Sequence, residues 1–206
     1  MSFNGELRFS EMTDSVEPRK KPGKRERLIE GARQVLYEQG VERTTLAEVA
    51  QAADVPPGNV YYYFKTKDEL VQAAIADHVR EIQATLQELD AHRTPKARLK
   101  AFLRMLADQG EATARLGCPQ GTLCSELDKR DDGLSRSCAE MMRLPIEWAE
   151  RQFRAMGRRD ARELAFALIA SYQGTALLTN AFRDPELMTR ESRRLERWLD
   201  GLAKAD

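Results

Sequence analysis

Three consecutive tyrosines, Tyr61, Tyr62 and Tyr63, follow Pro56, Pro57, Gly58 and Asn59, and this run constrains the chain more than any other. The two prolines supply the fixed φ that opens a helix at its first turn, so a brief helix from Gly58 to about Phe64 is predicted. At about 100° per residue, three adjacent side chains on that helix cannot all face one core. Val60 and Phe64 are the better core candidates, so at least one or two tyrosine hydroxyls must point to solvent or a partner. The flanks are equally directive. Thr45 and Glu48 have the spacing of a capping box and open a short helix with Leu46, Val49 and Ala50 inward, ending near Ala53. Asp54 and Val55 then make a turn. Downstream, Thr66 and Glu69 open a long helix to about Leu89, with Val71, Ile75, Val79, Ile82, Leu86 and Leu89 at three-to-four spacing. Two short helices about a turn, followed at once by a long one, form a helix-turn-helix whose second helix is able to enter a major groove.

The rest of the chain is helical in pattern. Residues 1–23 mix Ser, Glu, Pro, Arg and Lys without apolar period and are expected to be a flexible basic tail. From Lys24, Leu28, Ala32, Val35 and Leu36 recur at helical spacing until Gly40, which is expected to cap the helix in the left-handed region with Val41 packing back on Leu36. Thr94 and Pro95 open a helix carrying Leu99, Phe102, Leu103 and Leu106. Gly117, Pro119 and Gly121 read as a break, with a short helix near Leu123 to Leu127 beyond it. Asp132 and Gly133 precede a segment with Leu134, Cys138, Met141, Met142, Trp148 and Phe153, which Pro145 is expected to kink or interrupt. Asp160 and Glu163 resemble a cap for the most apolar helix, closed after Phe182 by Asp184 and Pro185. A last helix, about Arg190 to Ala203, places Leu195, Trp198, Leu199 and Leu202 on one face. No strand-like alternation of useful length occurs, so the predicted fold class is all-α.

Charge leaves the partner open in total but not locally. Lys plus Arg and Asp plus Glu both number 33, giving no net charge. A local basic face is nevertheless enough to meet phosphates. From Arg19 to Arg27 six basic residues stand against Glu26, making a candidate arm for an adjacent minor groove, or a solvated tail. No apolar run approaches the roughly 18 to 20 residues of a membrane span, and the N-terminus lacks a signal-peptide pattern, so a cytoplasmic location without membrane contact is expected. Cys118, Cys124 and Cys138 lack the paired spacing of a zinc site or disulfide framework and are expected to be reduced. Only two histidines occur, His78 and His92, with no phosphate loop, metal motif or nucleophile motif. An enzyme is therefore not expected, and no catalytic residue, metal or cofactor is assigned.

Gly58 permits close backbone approach to DNA, and Asn59 near the helix start is able to reach a base edge or phosphate. Lys67 and the first amides of the following helix form a second phosphate-binding feature. The segments Thr45 to Ala50 and Val55 to Leu70 resemble the DNA-binding signature of the TetR family, over roughly residues 24 to 72. By that resemblance Pro57, Gly58, Asn59 and Tyr62 lie towards bases, and Thr45, Tyr61, Tyr63 and Lys67 bind phosphates of double-stranded operator DNA. The family often has Ser where Pro56 stands and His where Tyr63 stands. The implied organisation is a helix-turn-helix domain over 24–70 and a larger helical ligand-binding and dimerisation domain over 71–206. The implied function is a ligand-responsive repressor.

The resemblance also implies a homodimer formed by the last two helices. Ala167, Ala170, Ser171, Gly174 and Ala181 suit this with small positions for close packing, flanked by Leu168, Leu177, Leu178 and Phe182 and extended by Trp198 and Leu202. A small-molecule effector would sit among the middle helices, where Met105, Met141, Met142, Trp148, Phe153, Phe166 and Tyr172 offer apolar lining or plain core. Gly117-Cys118-Pro119-Gln120-Gly121 is similar to an element in some family members, including electrophile and quinone sensors. Cys118 is thus either a buried small residue or the thiol of a redox or electrophile-sensing regulator. From another class, a helical interaction scaffold without DNA binding remains, although it would not need the tyrosine run or Lys67.

Overall fold

A computed structural model describes residues 22–130 and 132–202, so all but residues 22 and 23 of the expected tail over 1–23, together with the last residues from 203, lie outside the described residues. Ten helices and no strand occur among the described residues. The first, α1 (Lys24–Arg43), opens where the Glu26 carboxylate accepts the Gly23 N–H at 2.7 Å. Gly40 interrupts it at φ 82°, ψ 171°, a conformation that only glycine adopts comfortably and not the left-handed cap expected from sequence. The chain then makes one more helical turn through Val41, which is buried.

α2 (Leu46–Ala52) carries both halves of the Thr45–Glu48 capping box, and α3 (Pro57–Tyr63) has Pro57 at its first position. α4 (Lys67–Leu89) buries Leu70, Val71, Ala74, Ile75, Ile82, Leu86 and Leu89 along one stripe. The expected division between residues 70 and 71 falls inside α4, which runs on without a break. α5 (Pro95–Asp108) starts at Thr94, whose hydroxyl accepts the Ala97 N–H at 3.2 Å.

Further features differ from the sequence expectation. α6 (Gly110–Leu116) was not foreseen, and α7 (Pro119–Leu127) begins at Pro119, earlier than Leu123. Pro119 starts α7 because a first-turn residue needs no N–H partner. α8 (Gly133–Ala155), capped by the Asp132 carboxylate on the Leu134 N–H at 2.9 Å, continues through Pro145, which is buried. α9 (Ala161–Phe182) is preceded by Asp160, but that carboxylate binds the Arg158 guanidinium at 2.8 Å and makes no side-chain cap. α10 (Glu186–Gly201), which begins a turn before the expected Arg190, is the last helix among the described residues.

α8 lies against α4, α5, α7 and α9, and α10 closes over α5 and α9. At the centre Trp148 is fully buried, tilted against Phe102 at 5.4 Å, and its indole N–H donates to Asp90 at 3.0 Å. One continuous apolar cluster runs from Leu28 in α1 to Leu199 in α10. The surface-facing helices and the C-terminal bundle therefore share a core, and packing changes in one part reach the other.

Candidate nucleic-acid interface and effector cavity

The turn between α2 and α3 is held from α1. Arg27 donates to the carbonyls of Ala53 (3.2 Å) and Asp54 (2.9 Å), and Asp54 takes a positive φ of 50° there. With the turn fixed, α3 leaves in one direction and sinks Val60 and its cap residue Phe64 into the core. The opposite side is then forced outward: Tyr61 is 59 % and Tyr62 76 % exposed. Pro57 is exposed beside them, Gly58 has open space where a Cβ would stand, and Asn59 is half-buried. Tyr63 turns back against the core and meets Tyr62 edge-on at 5.0 Å. The three tyrosines thus divide as helical geometry requires, two outward and one mostly inward.

Two predicted phosphate ligands already have local partners. The Thr45 hydroxyl accepts the Glu48 N–H at 3.2 Å and donates to the Glu48 carboxylate at 2.8 Å. Hydrogen bonds from Thr45 hold the Glu48 carboxyl below its ordinary value. The Lys67 ammonium donates to the carbonyls of Val41 (3.0 Å) and Glu42 (3.2 Å), tying the start of α4 to the end of α1. Lys24, Arg25 and Arg43 of α1 are exposed, as is Lys65 just after α3, whose ammonium donates to the Tyr61 carbonyl at 2.7 Å. Arg25 stands 5.4 Å over the Phe64 ring, which fixes it near the recognition face.

A cavity of about 420 Å³ lies between α1, α4, α5, α7, α8 and α9. Met105 and Tyr172 of the middle helices, and Cys118 at the start of α7, are among the residues that line it. The other expected residues do not. Met141, Trp148 and Phe153 are fully buried in packing between helices, Met142 lies off the cavity, and Phe166 is 49 % exposed on the outer side of α9. Helical periodicity identifies an apolar face, but it does not distinguish a face packed solid from one left hollow. The pattern equally missed the polar end of the cavity, formed by Glu30, Arg33 and Tyr37 of α1 with His78 and Glu81 of α4.

At the opposite wall, Cys118 caps α7 and is 5 % exposed. Its sulfur accepts from the Gly121 N–H (3.5 Å), the Tyr172 hydroxyl (3.4 Å) and the Gln173 amide (3.6 Å), joining α7 to α9. Burial, with Cys118 beside it, raises the Tyr172 phenol well above its ordinary value, so it remains a donor. Tyr37 reaches across from α1 and donates to the Gly117 carbonyl at 2.8 Å. All three cysteines are free thiols.

Phe166, Leu177, Leu178 and Phe182 are 49 to 69 % exposed along α9, with Ala167, Ala170, Gly174 and Ala181 exposed between them. Leu168, expected on that surface, is fully buried on the inner side, and Trp198 packs edge-on against Phe153 at 6.0 Å. No helix among the described residues is long and apolar enough to cross a membrane.

Residues 28–74 match the profile of bacterial regulatory proteins of the tetR family, and residues 95–194 match the C-terminal domain profile of LmrA/YxaF-like transcriptional regulators. The HTH-type transcriptional repressor DhaR of a Mycobacterium species is 29 % identical over 176 residues, 79 % of this chain and 85 % of that protein. The HTH-type transcriptional regulator TtgR of Pseudomonas putida is 29 % identical over 163 residues, 73 % of this chain and 77 % of that protein. Among solved structures, a TetR transcriptional regulator from Legionella pneumophila superposes with a TM-score of 0.77 at 18 % identity, covering 86 % of this chain and 97 % of its own.

Proposed function

Because this chain belongs to the TetR family of bacterial regulatory proteins, we propose that it represses transcription by binding operator DNA as a homodimer and releases it when a small molecule fills the cavity. The observation that carries the reading is the outward face of α3, where Pro57, Gly58, Tyr61 and Tyr62 stand clear of a helix anchored by Val60 and Phe64. Asn59 and Tyr62 are assigned to base edges. Thr45, Tyr61, Tyr63 and the Lys67 turn of α4 are assigned to the phosphates on either side. Residues 24–70 form the DNA-reading part and 71–206 the effector and dimer part, acting in the cytoplasm.

The apolar stripe of α9 supports the dimer. Four large apolar side chains exposed on one helix face, interleaved with small residues, suit a self-complementary interface across a two-fold axis. Two copies of α3 would then meet successive major grooves, about 34 to 36 Å apart. The cavity is walled on one side by α1, the helix that also holds the α2–α3 turn. A ligand that binds better when α1 and α4 are displaced would therefore shift the pair away from that spacing. The buried, hydrogen-bonded Cys118 serves in this reading as wall, and effector binding is preferred to thiol sensing.

Fluorescence anisotropy with the DNA flanking its own gene tests the proposal at fixed salt. Nanomolar, salt-sensitive binding with a stoichiometry of two chains per site is expected. Binding no tighter than to unrelated DNA would overturn it.

A further inference from the structure

One face of α7 serves two places. Pro119 and Leu123 line the cavity, and Glu126, seven residues beyond the first and three beyond the second, continues the same helical face. Its carboxylate accepts the Val41 N–H and the Glu42 N–H, each at 2.7 Å. These amides open the turn that follows Gly40 and leads through Thr44 into α2. Lys67, at the start of α4, donates to the carbonyls of the same two residues at 3.0 and 3.2 Å. The turn is thus held by an anion at its N–H end and by a cation at its C=O end, the polarity that the dipole of a helical turn favours.

α7 is also weakly anchored for a wall helix. Among its described residues Leu127 alone is buried, whereas α4 buries seven along its length. Few buried apolar contacts make an element easy to displace locally. A helix is rigid over the two turns or so from Pro119 to Glu126, so a shift at the cavity end carries the carboxylate with it. The carboxylate must then either drag the turn along or abandon its two amides. One of those amides is partly buried, which makes abandonment unfavourable. Movement of the wall and placement of the turn are therefore linked through a single side chain.

Resting on the reading of this cavity as the effector site, we propose that Glu126 is a positioning residue that couples the α7 wall of the cavity to the turn before Thr45, and so to the placement of α2, α3 and Lys67 on operator DNA. Coupling between two binding events is reciprocal. Operator that fixes the turn must therefore steady α7 with no effector present.

Hydrogen–deuterium exchange of the full chain, with and without a saturating duplex of the DNA flanking its own gene, tests it. In the native chain the duplex should slow exchange of the α7 amides about fivefold or more. In Glu126→Ala the slowing should remain in α2 and α3 and vanish from α7, with continued protection of α8 and α9 showing that the bundle is folded. Glu126→Gln keeps one accepting oxygen and should retain part of the effect. If Glu126→Ala binds no duplex, the comparison with the native chain is made in Glu126→Gln, where the slowing must be diminished. A native α7 that exchanges alike with and without the duplex, or a slowing that persists in full in the variants, overturns the coupling while leaving the regulator reading in place. A native chain that binds this duplex no tighter than unrelated DNA overturns the regulator reading, and the coupling with it.

Discussion

The Glu126 carboxylate accepts the Val41 backbone N–H at 2.7 Å, and its second oxygen accepts the Glu42 N–H at the same distance. These amides begin the helical turn that restarts after Gly40, where nothing within the turn itself satisfies them. A carboxylate there stabilises the turn by hydrogen bonding and by charge. The far end of α7, at Cys118 and Pro119, lines the cavity. One short helix therefore runs from the ligand wall to the chain that precedes Thr45, and Lys67 grips the carbonyls of that same turn from α4.

Gly40 and Glu126 should accordingly be coupled. A Cβ at position 40 would lie 2.8 Å from the Glu126 carboxylate, on a backbone with φ of 82°. Gly40→Ala is expected to lower unfolding free energy by about 1–3 kcal/mol. Glu126→Ala should lower it by about 1–2 kcal/mol, since one of the two amides it leaves is partly buried. The double variant should lose less than the sum, because the clash is gone while the strained φ remains. Urea titrations of the four proteins measure the coupling, and strict additivity would show that the two residues do not meet.

Tyr62 and Val60, two residues apart on α3, should fail in opposite ways. Tyr62→Ala removes a side chain that is 76 % exposed, so stability should change by no more than about 0.5 kcal/mol. Operator affinity should fall about tenfold or more, the loss expected for one specific contact. Val60→Ala opens space beneath the helix and should destabilise the fold by roughly 2 kcal/mol. Anisotropy and urea midpoints on both variants separate the effects. A Tyr62→Ala protein with full operator affinity would take that residue out of the interface.

Much of this architecture is legible from local chemistry. The complete capping box at Thr45–Glu48, the Thr66 and Thr94 hydroxyl caps, first-turn prolines and the tyrosine run act within a few residues, and they fix α2, α3, the start of α4 and the start of α5 where the structure has them. The Glu69 half of the expected Thr66–Glu69 box instead accepts the Lys65 N–H. The failures arise where a distant partner decides. Pro119 looks like a break until its position as the first residue of α7 is seen, and Pro145 sits in a helix kept whole by packing on four neighbours. α6 has no apolar period of its own to announce it. It is held from outside, by Asn180 and Arg183 donating to the Ala114 carbonyl at 3.1 and 2.8 Å. The cavity was hardest to read, because Arg33 and His78 come from two helices and nothing in their spacing indicates that they share a space.

The α9 stripe should govern assembly. Leu177 and Phe182 are 69 % and 68 % exposed in the single chain, so replacing either by a charged residue should leave the monomer fold intact. If two copies bury this face, Leu177→Glu places a charge in an apolar contact and should drive sedimentation to the monomer. Operator affinity should fall with it, because one recognition helix alone spans half a site. A dimer that persists in Leu177→Glu would locate the interface elsewhere.

His78 should make stability depend on pH below about pH 6.5. Burial is the largest cause of its lowered pKa, Arg33 adds to it, and Glu81 and Asp77 oppose it. The unfolded chain, with an ordinary histidine near pH 6.5, binds the proton more readily than the native protein. Its contribution is therefore complete above about pH 6.5 and declines as pH falls from there through the native value. The slope for one proton is at most about 1.4 kcal/mol per pH unit. Carboxyl groups that hydrogen bonding holds low, such as Glu191 beside Arg194 and Glu196 beside Arg104, release their share only in stronger acid. Urea midpoints between pH 5 and 7 should rise with pH in the native sequence and flatten in His78→Gln. An identical slope in both would mean that the imidazole is not held neutral in the fold.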